Sequence, residues 1–315
     1  MDIGKRLGVG ERGPDFVLTD PSGSSARFYA VAGGRPTALV FDREDDNPRL
    51  AELTACLAGR TDVAVTAVSE PAVAQAYGVA PQQPTVVVLD PDLRIVGTIT
   101  GENPAEEVLT LLEAAVHRGP PTQVTDQAPV LFVPRVLDTD QRDRLIRVWE
   151  QAGDAATGVE RSFGGARGEV LDADYKRRRD HTVSEPELLR ELTSTIGRRV
   201  MPEVRKAFAF RATRFEGFKI ACYDASARGF FRAHRDNLSP STAHRVFALS
   251  LNLNDAYDGG QLRFPEYGNQ LYRPDAGAAL VFSCALLHEV CEVTAGRRLV
   301  LLSFLYGEPA LSAAR

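Results

Sequence analysis

Short, unbroken apolar runs mark the first third of the chain. Thr37–Phe41 (TALVF), Val63–Val68 (VAVTAV) and Thr85–Leu89 (TVVVL) alternate with helix-like stretches around 48–59 and 104–116. Apolar runs of this length, separated by helices, predict strands of a sheet covered on both faces. An α/β domain is therefore expected first. Past residue 129 the order changes. Thr139–Ala152 carries Leu145, Ile146, Val148 and Trp149 at helical spacing, and Pro186–Ala209 predicts another long helix. Beyond Phe218 the texture becomes strand-like, with Val246–Leu253, Gln261–Phe264, Ala278–Phe282 and Leu299–Leu305 separated by Gly-rich or Pro-containing turns. Helices followed by strands without helical crossovers predict an α+β domain with antiparallel sheets in a sandwich or jelly roll.

Between the two textures, EAAVHRGPPTQVTDQAP (113–129) loses apolar periodicity and carries Pro120-Pro121, which predicts an exposed linker. The expected division is 1–118, a linker over 119–128, and 129–315. Charge supports it: residues 1–128 hold 10 Lys/Arg against 18 Asp/Glu, while 129–315 hold 27 against 24. Neither part has the dense basic stripe of a nucleic-acid binder. With 44% hydrophobic and 25% charged residues, the 315-residue chain has the composition of an ordinary globular protein. No run approaches a membrane span, and the opening MDIGKRLGVGERGPDF lacks a secretory core, so a cytoplasmic protein without a membrane partner is expected. Cys56, Cys222, Cys284 and Cys291 form no CxxC pair and are too sparse for a disulfide scaffold.

The segments Gly10-Glu-Arg-Gly-Pro-Asp-Phe-Val-Leu18, Asp20-Pro-Ser-Gly23 and Arg35-Pro-Thr-Ala-Leu-Val-Phe41 resemble the peroxiredoxin branch of the thioredoxin fold. Gln83-Pro84-Thr85 resembles that family's cis-proline turn, and the resemblance covers about residues 8–116. Peroxidatic chemistry needs an activated thiolate at a helix N-terminus. After Phe41, Pro48 matches the family motif, but Leu50 stands where the cysteine belongs and Asn47 where the threonine belongs. Cys56, among Leu53 and Leu57, is expected to be buried, and the acidic run Asp42, Glu44, Asp45, Asp46 to be a solvated turn. A catalytically degenerate domain, serving as a scaffold or docking surface, is the expectation.

The informative chemistry begins at Phe231-Arg-Ala-His234-Arg-Asp236-Asn237. In an extended chain positions i and i+2 share a face, so His234 and Asp236 can approach one metal ion. His288 follows 54 positions later, just after an apolar strand. Two imidazoles and one carboxylate on a β scaffold make the facial triad of non-haem Fe(II), which leaves open coordination positions. Ten residues on, Arg298 heads the apolar run Leu299–Leu305. A buried arginine there needs an anion, and its planar fork suits a carboxylate. Arg297, on the opposite face, is the second choice. His117, His181 and His244 are expected to face solvent, as is the run Arg177-Arg178-Arg179. Cys284 and Cys291 read as core thiols, with zinc binding as the alternative.

These residues resemble the prolyl-hydroxylase-like branch of the Fe(II)/2-oxoglutarate dioxygenases. The matching segments are Ala221-Cys-Tyr223, His234-Arg-Asp236-Asn237, Leu253-Asn254-Asp255, Gly259-Gly260-Gln-Leu-Arg263-Phe-Pro265 and His288-Glu-Val290. Pro129–Leu137 looks like the start of the same catalytic domain. The resemblance implies a double-stranded β-helix (jelly-roll) core, and Fe(II), 2-oxoglutarate and O2 as metal and co-substrates, with ascorbate a further candidate reductant. It implies iron on His234, Asp236 and His288, and 2-oxoglutarate on Arg298 and Tyr223. The family's second tyrosine is replaced by Asn252, an alternative hydrogen-bond donor of shorter reach, and the loop from Tyr223 to His234 is one residue longer.

The reaction so implied is C–H hydroxylation of a small molecule or a protein side chain, coupled to decarboxylation of 2-oxoglutarate to succinate. The carboxylate ligand Asp236 argues against halogenation. The alternative is a redox-linked sensor or adaptor that binds partners through both domains without turnover. Oligomerisation or partner docking would use the redoxin-like domain. The segment 161–181 carries Gly164, Gly165 and Gly168 together with Arg161 and Arg167. It is expected to form a lid selecting an anionic substrate, the alternative being a surface loop with no role in selection.

Overall fold

The computed structural model describes residues 7–19, 23–32, 34–42, 48–80, 83–101, 104–116, 122–152, 155–156, 159–163, 166–170 and 172–307, and the side chains of 152–171 lie outside that description. The chain divides into two compact units, Met1–Thr122 and Gln123–Arg315. His117, Pro120 and Pro121 of the expected linker are outside the described residues. No helix among the described residues is long and apolar enough to cross a membrane.

The first unit is built on β1 (Thr37–Phe41), α1 (Pro48–Cys56), β2 (Ala64–Val68), α2 (Pro71–Ala76), β3 (Thr85–Leu89), β4 (Ile95–Thr100) and α3 (Ala105–Ala115). The sheet order is β2-β1-β3-β4, with β1 and β2 parallel and the other pairs antiparallel. Alternation along the central strands explains their unbroken apolar runs. Leu39, Phe41, Val87 and Leu89 pack with Phe16, Phe28 and Tyr77, whereas Ala38, Val40, Val86 and Val88 face Leu53, Val108 and Leu112. Each strand is thus buried on both sides. Every peptide bond among the described residues is trans, so Gln83–Pro84 lacks the cis geometry that the redoxin resemblance implies.

One expectation about α1 changes, that for Cys56. Leu50 packs half-buried against the second core, where it offers no nucleophile. Cys56 is exposed rather than buried. The buried stripe runs through Leu53 and Leu57, and at 3.6 residues per turn Cys56 falls about 100° away from Leu57. It closes the last turn of α1, at the opposite end of the helix from the N-terminus where peroxidatic chemistry places its thiol. Cys56→Ser protein is therefore expected to match wild type in peroxide consumption; a large loss in that assay would reveal a displaced active thiol. Asp42 pairs with Arg49 at 3.0 Å, and Glu44, Asp45, Asp46 and Asn47 lie outside the described residues.

In chain order the second unit contains β5 (Leu131–Val133), α4 (Thr139–Ala152), β6 (Ala155–Ala156), β7 (Val159–Phe163), β8 (Ala166–Val170), β9 (Lys176–Arg177), β10 (Arg179–Thr182), α5 (Pro186–Arg199), α6 (Met201–Phe208), β11 (Lys219–Asp224), β12 (Phe230–His234), β13 (Phe247–Asn252), β14 (Leu262–Arg263), β15 (Leu271–Tyr272), β16 (Ala279–Ser283), β17 (His288–Val290) and β18 (Val293–Tyr306). The main path of a nine-stranded sheet runs β5-β16-β13-β18-β11-β10-β6, and a five-stranded sheet runs β9-β12-β17-β14-β15. Ladder pairs in both are antiparallel. The expected helix over 186–209 is broken at Val200. Pro202, in the first turn of α6, cannot donate the hydrogen bond that would continue α5.

Alternation again sorts the side chains. Ile220, Cys222, Leu249, Leu251, Val281, Leu299 and Leu301 pack with Leu188, Leu192, Ile196 and Trp149 of the helices. Their neighbours Ala221, Tyr223, Ala248, Leu280, Phe282 and Val300 pack with Leu262, Phe264, Tyr272 and Val290 of the smaller sheet. The large sheet is thereby the middle of three layers, and the space between the two sheets holds both a core and the site. Of the segment 161–181 expected as a lid, the first part belongs to a hairpin, with β7 paired to β8, Arg161 opposite Gly168 and Ser162 opposite Arg167, while 176–181 enters β9 and β10 of the two sheets. Gly164 and Gly165 are outside the described residues, as are the side chains of Arg161 and Arg167.

Candidate functional site

β12 and β17 are neighbours in the smaller sheet, and their register places His234 opposite His288. From the Phe231–Val290 pair to the His234–His288 pair, β12 advances three residues while β17 advances two. That bulge adds one residue and re-aims the end of the strand, which turns His234 onto the face it would otherwise leave. Asp236 follows just beyond the strand, where its amide donates to the Cys284 carbonyl at 3.0 Å. The three side chains converge. One Asp236 oxygen lies 3.5 Å from His234 Nε2 and the other 3.4 Å from His288 Nε2, and all the ligand atoms lie within 4.8 Å of one another.

Backbone carbonyls fix the orientation of both rings. His234 Nδ1 lies 2.7 Å from the Arg232 carbonyl and His288 Nδ1 3.0 Å from that of Leu286. A carbonyl only accepts, so each Nδ1 donates to its carbonyl and each Nε2 is the ring atom turned to the carboxylate. Burial pushes His288 down to about 4, against a smaller upward pull from Asp236, so it is neutral near pH 7. Burial also pushes Asp236 upward, but His234, His288 and Arg245 outweigh it and hold the carboxyl below its usual range. Two imidazole nitrogens and a carboxylate converging at one point form a donor set that a divalent cation fits. Phe231 stacks on His234 at 3.6 Å between ring centroids, and Phe282 packs against His288 at 4.7 Å.

The shift of His288 gives a stability expectation. In the unfolded chain the imidazole titrates near 6.5, above its folded value of about 4. Between those values the unfolded state binds more protons, so stability falls as pH falls. Metal-free protein is expected to lose up to about 3 kcal/mol from this group between pH 6.5 and 4. Thermal melts over that range, compared with His288→Gln, check it: equal pH slopes in the two proteins would contradict it.

The triad opens into a cavity of about 540 Å³ lined also by Tyr223, Ser250, Arg298, Val300, Leu262 and Arg178. Arg298 is only 2% exposed. Its guanidinium reaches Asn252 Oδ1 at 3.1 Å and Ser250 Oγ at 3.3 Å, and it lies 5.6 Å from the Tyr223 ring on the neighbouring strand. Among the described residues it forms no ion pair. A buried cation in a cavity without a carboxylate partner calls for an anionic ligand, so these residues fit a dicarboxylate co-substrate. Arg297 points the other way, with Glu150 at 3.6 Å.

Asn252 departs from its expected place. It is buried but absent from the cavity wall. Its amide nitrogen donates to Tyr257 and to the Pro274 carbonyl at 2.8 and 2.6 Å, while its oxygen accepts from Arg298. With both donor hydrogens spent, it supports Arg298 instead of offering a bond to a ligand. Cys222 and Cys284 are buried and Cys291 partly so. Burial raises all three thiols, Cys222 to about 11. His244 keeps 44% exposure but sits 2.7 Å from Glu216.

The arginine run expected in solvent is divided by the chain itself. Lys176 and Arg177 belong to β9 of the smaller sheet, Arg179 begins β10 of the larger, and Arg178 lies where the chain crosses between them. Arg179 covers Trp149 on the outside at 5.4 Å. Arg178 turns inward with 12% of its side chain exposed, and both Asp180 oxygens bind it at 2.6 Å. The available signal was alternation: Lys176, Arg178 and Asp180 occupy every second position, and extended chain puts them on one side. Three consecutive arginines concealed it.

Comparison with known proteins bears on this unit. Residues 218–306 match the family model of the 2OG-Fe(II) oxygenase superfamily. Two PKHD-type hydroxylases, from Synechococcus sp. strains JA-2-3B'a(2-13) and JA-3-3Ab, are each 30% identical over 104 residues, covering 31% of this chain and 46% of theirs. The chain thus spans just under half the length of those relatives. A crystal structure of a Pseudomonas putida prolyl-4-hydroxylase aligns with 57% of this chain and 94% of its own, at 19% identity and a TM-score of 0.43. A Trichoplax adhaerens prolyl hydroxylase, in complex with a hypoxia inducible factor oxygen degradation domain peptide fragment, aligns with 59% and 88%, at 17% identity and a TM-score of 0.46.

Proposed function

We propose that this chain is an Fe(II)- and 2-oxoglutarate-dependent dioxygenase that hydroxylates a C–H bond. The observation that carries the reading is the pairing, in one cavity, of the His234, Asp236 and His288 donor set with the buried Arg298 that has no carboxylate partner. The match of residues 218–306 to the 2OG-Fe(II) oxygenase superfamily agrees with it. Iron and the keto acid together would supply oxygen activation, with release of carbon dioxide and succinate. The protein's share is binding and orientation. His234, Asp236 and His288 would hold the ion from one side, their rings fixed by main-chain carbonyls. Arg298 would clamp the remote carboxylate of 2-oxoglutarate, with Ser250 and Asn252 setting its fork. Phe231, Phe282, Leu262 and Val300 would exclude water around the reacting atoms.

The substrate is a small molecule or a protein side chain, in a cytoplasmic setting. The first unit is a redoxin-like scaffold without a nucleophile, and its β2-β1-β3-β4 sheet flanked by helices supports that reading. Docking of a partner, or of a second copy, would fall to it. The decisive experiment incubates cell extract with protein, Fe(II), ascorbate and 2-oxoglutarate, and follows succinate together with a product one oxygen atom heavier. Succinate release that no extract fraction stimulates would count against a hydroxylase. The hairpin Val159–Val170 would select an anionic substrate through Arg161 and Arg167. Alanine at both positions is expected to lower substrate-coupled turnover about tenfold while leaving uncoupled 2-oxoglutarate decay intact. Equal coupled rates would remove the hairpin from substrate selection.

A further inference from the structure

Beside the triad and Arg298, the cavity wall holds a second buried guanidinium whose charge is already neutralised. Arg178 gives Nε and one terminal nitrogen to the two oxygens of Asp180, at 2.6 Å each. Its other terminal nitrogen reaches the Tyr223 hydroxyl at 3.3 Å. Tyr223 is 2% exposed and lines the cavity, and this is its hydroxyl's one hydrogen bond among the described residues. The chemistry of that contact has only one direction. A guanidinium donates and never accepts, so the phenol oxygen accepts from Arg178 and its own proton is left without a protein acceptor.

We infer that Arg178 is a positioning residue for the co-substrate, acting through Tyr223: it occupies the phenol's acceptor site and so commits the Tyr223 proton to an oxygen of 2-oxoglutarate. This rests on the dioxygenase reading above and adds a role for a side chain outside the triad and the carboxylate clamp. Direct capture of an anion by Arg178 is disfavoured because Asp180, with only 3% of its side chain exposed, already saturates one edge of the fork. The geometry also explains how the chain works without a second tyrosine at position 252. Asn252 is spent on Arg298, Tyr257 and Pro274, so a single phenol must present its proton in one direction. A chain of Asp180, Arg178 and Tyr223 does this because each member polarises the next.

The test measures 2-oxoglutarate binding by calorimetry to Mn(II)-loaded protein, where no turnover occurs. Arg178→Lys keeps a cation beside Asp180, so no buried carboxylate is stranded, but one ammonium cannot span both Asp180 and Tyr223. Its dissociation constant for 2-oxoglutarate is expected to rise about tenfold, Tyr223→Phe to give a similar rise, and the double variant to be no weaker than Tyr223→Phe alone. Mn(II) affinity should stay within about twofold in all three, which separates this effect from disturbance of His234 through Phe231. Wild-type affinity for 2-oxoglutarate in Arg178→Lys, or losses that multiply in the double variant, would overturn the inference while leaving the dioxygenase reading in place. Wild-type protein that binds Mn(II) but not 2-oxoglutarate would overturn both.

Discussion

His288→Ala is expected to lower Fe(II) affinity by more than about 100-fold and to remove all 2-oxoglutarate turnover, because one of three protein ligands is gone and no nearby group can replace it. Among the described residues the triad is the one cluster of His, Cys, Asp and Glu side chains able to hold an ion. The same result is expected of His234→Ala, although its ring is less deeply placed, at 12% side-chain exposure against 5%. Calorimetric titration with Fe(II) under anaerobic conditions is the measurement. Unchanged affinity in both variants would sink the metal assignment. A melting curve run alongside separates ligand loss from collapse, since alanine at 288 also leaves a void against Phe282 and Phe264.

Arg298→Met should behave differently. Iron affinity is expected to stay near wild type, while the 2-oxoglutarate concentration needed for half-maximal turnover rises about 100-fold, the scale of a buried charge-assisted pair. Methionine approximates the volume and removes the fork. Arg298→Lys should recover only part of the loss, because an ammonium cannot make the two parallel bonds of a guanidinium. Arg297→Met is the matched control: its side chain is 47% exposed on the other face of β18, and it should leave the 2-oxoglutarate requirement unchanged. If the two methionine variants were equally impaired, Arg298 would not be the clamp.

The parts of the site that could be read from the sequence were those governed by alternation within one strand or by a run of known hydrophobic character. His288 follows an apolar strand, and Arg298 lies inside β18 just before its apolar run, alternating with Arg297 as two-residue periodicity requires. Asp236 was placed correctly beside His234, but by a strand end and a bulge, not by simple i to i+2 geometry. Where a second strand or loop determines the outcome, the sequence is silent. Asn252 looked like a ligand donor because its position, not its partners, was legible; Tyr257 comes from the short strand Tyr257–Gly259 and the Pro274 carbonyl from a loop. Arg178 was hidden because solvent and cavity both accept arginine. Cys56 was misjudged by a single step around a helix. The central strands were visible throughout, since strands buried on both faces leave no polar alternation. The pairing of Val159–Phe163 with Ala166–Val170 was not legible because the glycines and charges there lack the alternation of a strand.

Both imidazoles are oriented by carbonyls two residues behind them, those of Arg232 and Leu286. Metal sites that orient histidine through a carboxylate or an amide side chain can drift when that outer residue mutates. Here the supporting groups are peptide units, present whatever residue occupies 232 or 286. The hydrogen bonds that orient the rings are consequently supplied by the backbone, so substitutions at those positions can vary the charge and shape of the surroundings while both imidazoles keep those bonds.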